Sequence, residues 1–287
     1  MLWVDRVVGG LLLASALACS AQQTSIPMAE SAMAPDPTIT SYCQSLLPSN
    51  PQGHALEQAC MFSLSLSNNM PNFTCDMKVE KFEDVNKSIR SSVFMQRIHA
   101  RARYVKGKDS YDDLRVNGRP MKDDSALIEG TWSFGEFGIK LLAAFAPKDY
   151  PTFKYLRNAN VNGVESYEYE FRVRPKDNHI WRWIWGKQST LPGYSGKIWL
   201  SRQSGRILRL HLNSSDGVPE DFPIQSVESR TEYSYVDFKD GSGFVLPSKV
   251  AINTSMADKR FIRTNINFSR CQRFRVNSRI VMDTSPE

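Results

Sequence analysis

Apolar and polar residues alternate with a period of two over much of the chain. Between Val164 and Arg174, the residues Tyr167, Tyr169 and Phe171 share one face while charged residues occupy the other. This alternation is typical of a strand with one buried face. Comparable segments recur between turn signals such as Asn-Gly and Ser-Gly pairs. We predict strands over 74–83, 92–106, 110–117, 152–160, 164–174, 179–185, 196–202, 206–213, 228–238, 244–254, 260–268 and 272–281.

Helical periodicity occurs in two places. The first is 40–69, interrupted by the two prolines of 48–51, and the second is 131–145, where Thr131 is a suitable N-cap. Strands joined by short turns are antiparallel neighbours, and the chain shows no βαβ repeat. The pattern therefore predicts an α+β fold: a large, curved antiparallel β-sheet, a half-barrel of about ten to twelve strands, with helices packed on it.

The first 21 residues have the layout of a secretory signal peptide. Arg6 precedes a short apolar run, Val7–Ala18, and small residues follow. A membrane span needs about 20 apolar residues, so this run predicts an exported protein. Two processing routes stay open. The Ala16–Cys19 segment is similar to a bacterial lipobox and would make Cys19 a lipidated residue, whereas cleavage before Gln22 would leave no anchor.

Composition bounds the organisation of the rest. We predict a signal peptide over 1–21, a flexible Ser-, Pro- and Ala-rich tether over 22–40, and a single domain over 41–287. No transmembrane segment is expected after signal removal. The net charge of +6 and the pI of about 9.0 favour anionic surfaces of the periplasm or outer membrane. The compartment argues against nucleic acid as a partner.

Four of the five cysteines remain for pairing, because either processing route removes Cys19. An even number in an oxidising compartment indicates disulfides. Cys43 and Cys60 lie in one helical segment, while Cys75 and Cys271 lie on strands near opposite ends of the chain. We predict the pairs Cys43–Cys60 and Cys75–Cys271. The histidines are scattered and no CxxC pair occurs, so no metal site is predicted.

Tryptophans form the first candidate site. Three of them alternate along the predicted strand 179–185, and a fourth lies on the strand 196–202, its presumed neighbour. Their rings either fill the core beneath the helix at 131–145 or line a cavity for an acyl chain or a glycan. The spacing fits both interpretations. The candidate ligand-binding residues are Trp132, Phe137, Trp181, Trp183, Trp185 and Trp199.

Basic residues form the second candidate site. Arg97, His99, Arg101 and Arg103 share one face of a predicted strand, and the segment 259–279 holds seven cations and no acid. These residues are either the solvated side of strands near a sheet edge or a docking surface for anionic lipid head groups or other envelope polymers. The candidate docking residues are Arg263, Arg273 and Arg275.

Catalytic motifs are absent from the sequence. There is no GxSxG, no HExxH and no phosphate-binding glycine loop, and adjacent acids such as Asp112 and Asp113 would point to opposite faces of a strand. Glu136, the one acid in the glycine-rich run 130–138, is an outside candidate. We therefore predict a non-enzymatic protein without a cofactor.

Several segments carry a resemblance to known proteins. MPNFTC, GTWSFGEFG, GKIWLSRQSGRILRL, DFPIQS and RCQRF occur in an order that resembles a group of uncharacterised exported bacterial proteins. The third of these, a strand, a Ser-Gly turn and a returning strand with Arg206 and Leu208, is similar to the outer-membrane lipoprotein-sorting carriers. That resemblance implies a curved antiparallel sheet capped by helices, with a concave side that receives lipid acyl chains.

The leading hypothesis is an exported envelope protein that binds an apolar or lipidated ligand, such as a lipid or a lipoprotein acyl chain, in a half-barrel cavity. The tryptophan face would line the cavity and the helix at 131–145 would cover it. The alternative is a structural or interaction module that docks another envelope component, such as a protein, through edge strands or the basic C-terminal hairpin. An enzyme acting on envelope glycans is a third hypothesis.

Overall fold

The computed structural model describes residues 37–84, 92–121, 137–238 and 243–274, and most of them lie in strands. The helices are α1 Pro37–Ser45, α2 Pro51–Asn69 and α3 Ile139–Phe145. The strands are β1 Phe73–Asp84, β2 Ser92–Val105, β3 Lys108–Val116, β4 Arg119–Pro120, β5 Thr152–Val161, β6 Val164–Val173, β7 Trp183–Trp185, β8 Gln188–Thr190, β9 Gly193–Ser201, β10 Ile207–Asp216, β11 Ile224–Asp237, β12 Gly243–Met256 and β13 Phe261–Arg273.

Eleven strands form one antiparallel sheet in the order β4-β3-β2-β1-β13-β12-β11-β10-β9-β6-β5. The sheet is open, because it ends at β4 on one side and at β5 on the other. Strands β7 and β8 form a separate two-stranded ribbon. The α+β class and a large antiparallel sheet carrying helices are therefore confirmed.

Contacts around α3 show that the sheet is curved. Phe137, just before α3, packs on Phe73 of β1 with ring centroids 4.9 Å apart, and Phe145 at the end of α3 stacks on Phe153 of β5 at 5.2 Å. Seven inter-strand steps separate β1 from β5, which is about 34 Å on a flat sheet at ~4.8 Å per step. Nine residues with a helical rise span only about 12 Å. The sheet therefore bends around α3.

The two faces of the sheet differ in chemistry. Inner-face residues such as Ile98 and Ile198 are fully buried and belong to one apolar core with α2 and α3. Outer-face residues are charged and paired across strands. Glu168, for example, forms ion pairs with Arg157 at 2.8 Å and with Lys197 at 3.0 Å. Burial alone would raise the pKa of Glu168, but these two cations hold it below its ordinary value. Period-two alternation thus separates an apolar inside from a polar outside.

Local sequence explains how α2 begins and how α1 is attached to it. Asn50 caps α2 by accepting a hydrogen bond from the Gly53 N–H at 2.8 Å, and Pro51 occupies the first helical position. The Cys43–Cys60 disulfide joins the two helices across 17 residues. This bridge was predicted and is confirmed. In the chain-entropy model, closing a loop of this size stabilises the fold by about 3 kcal/mol.

The second predicted disulfide, Cys75–Cys271, is also confirmed and closes a separation of 196 residues. It lies at a β-bulge, where Arg270 and Cys271 of β13 stand opposite the single residue Cys75 of β1. Arg270 adopts a left-handed conformation with φ 51°. Such bulges change the direction of side chains, and here the guanidinium of Arg270 forms an ion pair with the carboxylate of Asp76. A loop of this length gives about 5 kcal/mol of stabilisation in the same model.

Two strand predictions are wrong. The segment 179–185 is extended only over Trp183–Trp185, because the Asn178 amide forms a turn: its oxygen accepts from Ile180 N and Trp181 N, and its nitrogen donates to Trp181 O and Pro192 O. The strands predicted at 260–268 and 272–281 are one strand up to Arg273, since the bulge carries the pairing past Ser269.

The expected division of the chain at residues 21 and 40 stays a prediction. The signal peptide and most of the tether lie outside the described residues, and α1 begins at Pro37, inside the segment expected to be a tether. Of the predicted helix over 131–145, the described part is helical from Ile139 to Phe145. Thr131, its expected N-cap, lies outside the described residues.

Candidate functional site

Antiparallel pairing places the connections of the sheet at two opposite ends. We call the first the cavity end; it comprises residues 104–110, 160–166, 201–207, 234–238, 243–246 and 269–274. We call the second the tryptophan end; it comprises residues 82–84, 92–94, 146–152, 174–192, 216–224 and 256–262.

A cavity of about 380 Å³ opens at the cavity end, between α2 and the ends of β10, β11 and β12. This volume is within the range of small-molecule sites, which is about 300–1,000 Å³. Its apolar lining consists of Phe62, Leu66, Ile207, Phe244 and Val245. Its polar lining includes Gln58, Ser65, Ser204, Arg206 and Tyr235. An apolar wall with a few polar groups suits an amphipathic ligand.

Two glycines keep the walls of this cavity close together. Gly205 has φ +61°, and a Cβ there would overlap the side-chain oxygen of Gln58 on α2. A Cβ at Gly243 would overlap the hydroxyl of Tyr235 on the neighbouring strand. Glycine is needed at Gly205 for a second reason, since a left-handed conformation disfavours residues with a Cβ. The turn at 201–206 can therefore pack directly on α2.

An exposed cation lies at the rim of the cavity. The Arg206 guanidinium lies 4.0 Å from the centre of the Tyr235 ring, a cation–π contact that orients both side chains. Backbone hydrogen bonds close the turn beneath it, from Ser201 N to Arg206 O at 2.8 Å and from Gly205 N to Ser201 O at 2.9 Å. A fixed positive charge thus lies beside an apolar wall.

The second polar centre is the buried carboxylate of Asp149. It accepts hydrogen bonds from the Tyr194 hydroxyl at 3.0 Å and from the backbone N–H and ring Nδ1 of His179 at 3.0 and 3.1 Å. Burial raises the pKa of Asp149, although these hydrogen bonds act in the opposite direction. Burial also raises the pKa of Tyr194 and, together with the Asp149 charge, that of Tyr42 on α1. This centre joins a surface turn to the core and does not line the cavity.

The four described tryptophans do not share one face. Trp183 is buried in a small apolar cluster at the tryptophan end with Phe222, and Trp185 packs against it. Trp181 lies in the turn before β7, with its ring 5.4 Å from Tyr194. Trp199 lies on β9, whose neighbours are β6 and β10, so the expected pairing of its strand with 179–185 is wrong.

Trp199 and Phe137 lie on opposite faces of the sheet. Trp199 is on the outer face, where Arg209 lies over its ring at 5.4 Å. Phe137 is fully buried on the inner face and packs on Phe73 and Phe268. Trp132 lies outside the described residues, as does Glu136. Ligand binding by the tryptophans and Phe137 stays a prediction.

The candidate docking arginines separate in the structure. Arg263 lies near the tryptophan-end terminus of β13, where it pairs with Asp84 at 3.3 Å and lies over the Phe82 ring. Arg273 is exposed at the cavity end. Arg275 and the lipidation candidate Cys19 lie outside the described residues. Arg97, Arg101 and Arg103 share the outer face of β2, where Arg101 and Arg270 both approach Asp76. Their role in docking stays a prediction.

Most residues of the cavity were not singled out by sequence reasoning. Arg206 was noted only as part of a Ser-Gly turn, and Phe62 and Leu66 only as members of a helical pattern. Their i, i+4 spacing indicates that they share one helix face. Nothing local in the sequence shows that this face meets Tyr235 and Phe244.

Comparisons with solved structures find distant similarities of fold. A domain described as an outer membrane lipoprotein-sorting protein, from Vibrio parahaemolyticus, matches with 13% identity and a TM-score of 0.39, covering 75% of this chain and 90% of that one. A DUF1329 family protein from Desulfovibrio piger matches with 9% identity and a TM-score of 0.39, covering 78% and 94%. A LolA superfamily protein from Nitrosomonas europaea matches with 10% identity and a TM-score of 0.35, covering 79% and 94%.

The chain thus has a distant structural similarity to lipoprotein-sorting folds, and the likeness concerns the fold alone. No protein-family model matches the chain, and a comparison with curated proteins finds no match.

Two kinds of feature are not found among the described residues. None of their helices has the length and apolar character required to span a bilayer. No three of their His, Cys, Asp or Glu side chains are grouped as metal ligands.

Proposed function

We propose that this protein is an exported, non-enzymatic binding protein for an amphiphile, such as a lipid or the acyl chain of a lipoprotein. The apolar chain would lie in the cavity between α2 and β10–β12, and the polar or anionic head would lie beside Arg206. The observation that carries the proposal is the cavity itself, whose apolar lining is combined with one fixed, exposed cation.

Export is supported by the two disulfides, because such bridges persist in oxidising compartments such as the periplasm and are rare in the cytosol. The placement of the ligand differs from the sequence-based hypothesis. Trp183 is already packed against other side chains, whereas the cavity between Phe62 and Phe244 is open to an apolar ligand.

The proposal is tested by titrating the mature protein with cis-parinaric acid, a fluorescent fatty acid. Ser65 lines the cavity from α2, so Ser65→Phe fills it and should weaken binding at least tenfold. His54→Phe is the matched control, since it adds the same ring at an exposed position on α2 outside the cavity. Its affinity should equal that of the wild type.

A second titration tests the role of the rim cation. Arg206→Gln should weaken binding of cis-parinaric acid by about fivefold while leaving binding of its methyl ester unchanged, because one charge-assisted contact contributes roughly 1 kcal/mol. Equal affinity of wild type, Ser65→Phe and His54→Phe for the fatty acid would contradict the proposed site.

A further inference from the structure

Exposed cations gather at the end of the sheet where the cavity opens. Among the described residues of the cavity end, six exposed side chains are cationic and two are acidic. The cations are Lys106, Lys108, Arg202, Arg206, Arg270 and Arg273. The acids are Glu165 and Asp237. The exposed described residues of the tryptophan end are closer to balance, with seven cations against the acids Asp216, Glu220, Asp221 and Asp258.

The fold itself brings these exposed cations to one end of the sheet. Lys106 and Lys108 flank the β2–β3 turn, Arg202 and Arg206 lie in the β9–β10 turn, and Arg270 is re-aimed by the bulge of β13. These three elements are far apart in sequence, but antiparallel pairing brings them to the same end. Within the described residues, no ion pair involves Lys106, Lys108 or Arg206. Their charges are therefore available to an anionic surface.

Apolar side chains are exposed among these cations. Tyr235 is 45% exposed beside Arg206, and Val164 is 41% exposed in the β5–β6 hairpin next to Glu165. Tyrosine with an apolar ring and a polar tip is typical of a membrane–water interface, and basic residues near such a ring are attracted to anionic head groups.

We propose that the cavity end docks on an anionic phospholipid bilayer, with Lys106 and Lys108 of the β2–β3 turn as its principal contacts. The bilayer fits better than a soluble polyanion because the cations lie at the same end of the sheet as an apolar opening and exposed apolar side chains, which a polyanion would leave in water. Docking here is a property of the surface and does not require the cavity to hold a ligand.

Vesicle co-sedimentation of the mature protein tests this proposal. Binding is measured to vesicles of equimolar phosphatidylglycerol and phosphatidylcholine and to vesicles of phosphatidylcholine alone, from about 0.05 M to about 0.5 M salt. Wild type should bind the anionic vesicles, bind the neutral ones weakly, and be released by salt. The double variant Lys106→Glu/Lys108→Glu should lose at least about thirtyfold in affinity, because removing each basic residue near the surface costs roughly a fivefold factor and the new carboxylates add repulsion.

The matched control is Lys176→Glu/Lys187→Glu, which changes the net charge equally at the tryptophan end. It should lose less than about threefold, since charges far from the contact are screened. Equal losses in both double variants would show attraction to net charge and overturn the proposal. Binding to dextran sulfate without binding to anionic vesicles would also overturn it.

Titration with cis-parinaric acid separates this proposal from the proposed function. Both double variants should bind the fatty acid with wild-type affinity, because neither pair lines the cavity. If wild type binds anionic vesicles but no protein binds the fatty acid, the docking proposal is supported and only the amphiphile site is contradicted.

Discussion

The space over the sheet is packed differently at its two ends. At the tryptophan end, Trp183 and Phe222 fill the space over the sheet, and β7–β8 with the 217–223 connection covers them. At the cavity end, Phe62, Ile207 and Phe244 line a space that stays open, and a side chain at Gly205 or Gly243 would overlap Gln58 or Tyr235. Trp183 and Phe222 therefore fill one end, whereas a cavity remains at the other.

Trp183→Ala should have the largest effect on this comparison. Removing a buried indole leaves a cavity and costs about 3–5 kcal/mol of unfolding free energy. Because Trp183 lies at the tryptophan end, far from the proposed ligand cavity, binding of cis-parinaric acid to the folded fraction should be unchanged. Urea denaturation measures the first effect. Trp199→Ala, on the outer face, is the control and should cost only about 1 kcal/mol.

Gly205→Ala should have a smaller effect at the cavity end, about 2–3 kcal/mol, since it adds a contact with Gln58 to the cost of a left-handed alanine. Gly163→Ala is the matched control: Gly163 also has a positive φ, +88°, but a Cβ there would meet open space. It should cost about 1 kcal/mol. Urea midpoints that are equal for the two variants would mean that the approach of the turn to α2 is not close.

The pH dependence of stability should report the Asp149 centre. Its folded pKa is raised above the unfolded value of about 3.9, so the folded state holds the proton more tightly. The unfolding free energy contributed by this group is therefore fully present below that value and is lost as pH rises toward the folded pKa. Wild type should lose stability over this window relative to Asp149→Asn. Parallel pH profiles of the two proteins in urea would contradict the assignment.

The smallest expected effect comes from a buried threonine near the tryptophan end. Thr254 is completely buried in β12, and its hydroxyl has no hydrogen-bond partner among the described residues. Thr254→Val keeps the shape and removes the unpaired group, so it should raise the unfolding free energy by up to about 1 kcal/mol. Thr152→Val, at the exposed start of edge strand β5, should change it by less than about 0.5 kcal/mol. A loss of stability in Thr254→Val would point to a hidden partner for its hydroxyl.

Periodicity predicted the sheet well because alternation reports directly on burial, as Tyr167, Tyr169 and Phe171 of β6 illustrate. It failed at 179–185 because the Asn178 side chain captures backbone groups that a strand needs. Both disulfides were predictable because each pair of cysteines lies in elements that the pattern predicted.

The cavity was not predictable for a different reason. Its walls come from Phe62, Arg206 and Phe244, which belong to a helix, a turn and a strand that meet only when the curved sheet packs against α2. Gly243 ends the segment Asp-Gly-Ser-Gly, whose composition predicts a turn and makes glycine expected anyway, so its packing role against Tyr235 leaves no mark in the sequence.

The most direct test of the central claim is fluorescence quenching by stearic acid brominated at mid-chain. Bromine quenches only nearby tryptophans, so wild type and Phe244→Trp, which adds an indole to the cavity wall, are compared. If the acyl chain lies in the cavity, the added emission of the variant is quenched on binding and the native tryptophan emission is nearly unchanged. Quenching of the native tryptophans in both proteins, with no additional quenching in the variant, would place the ligand at the tryptophan end and contradict the account.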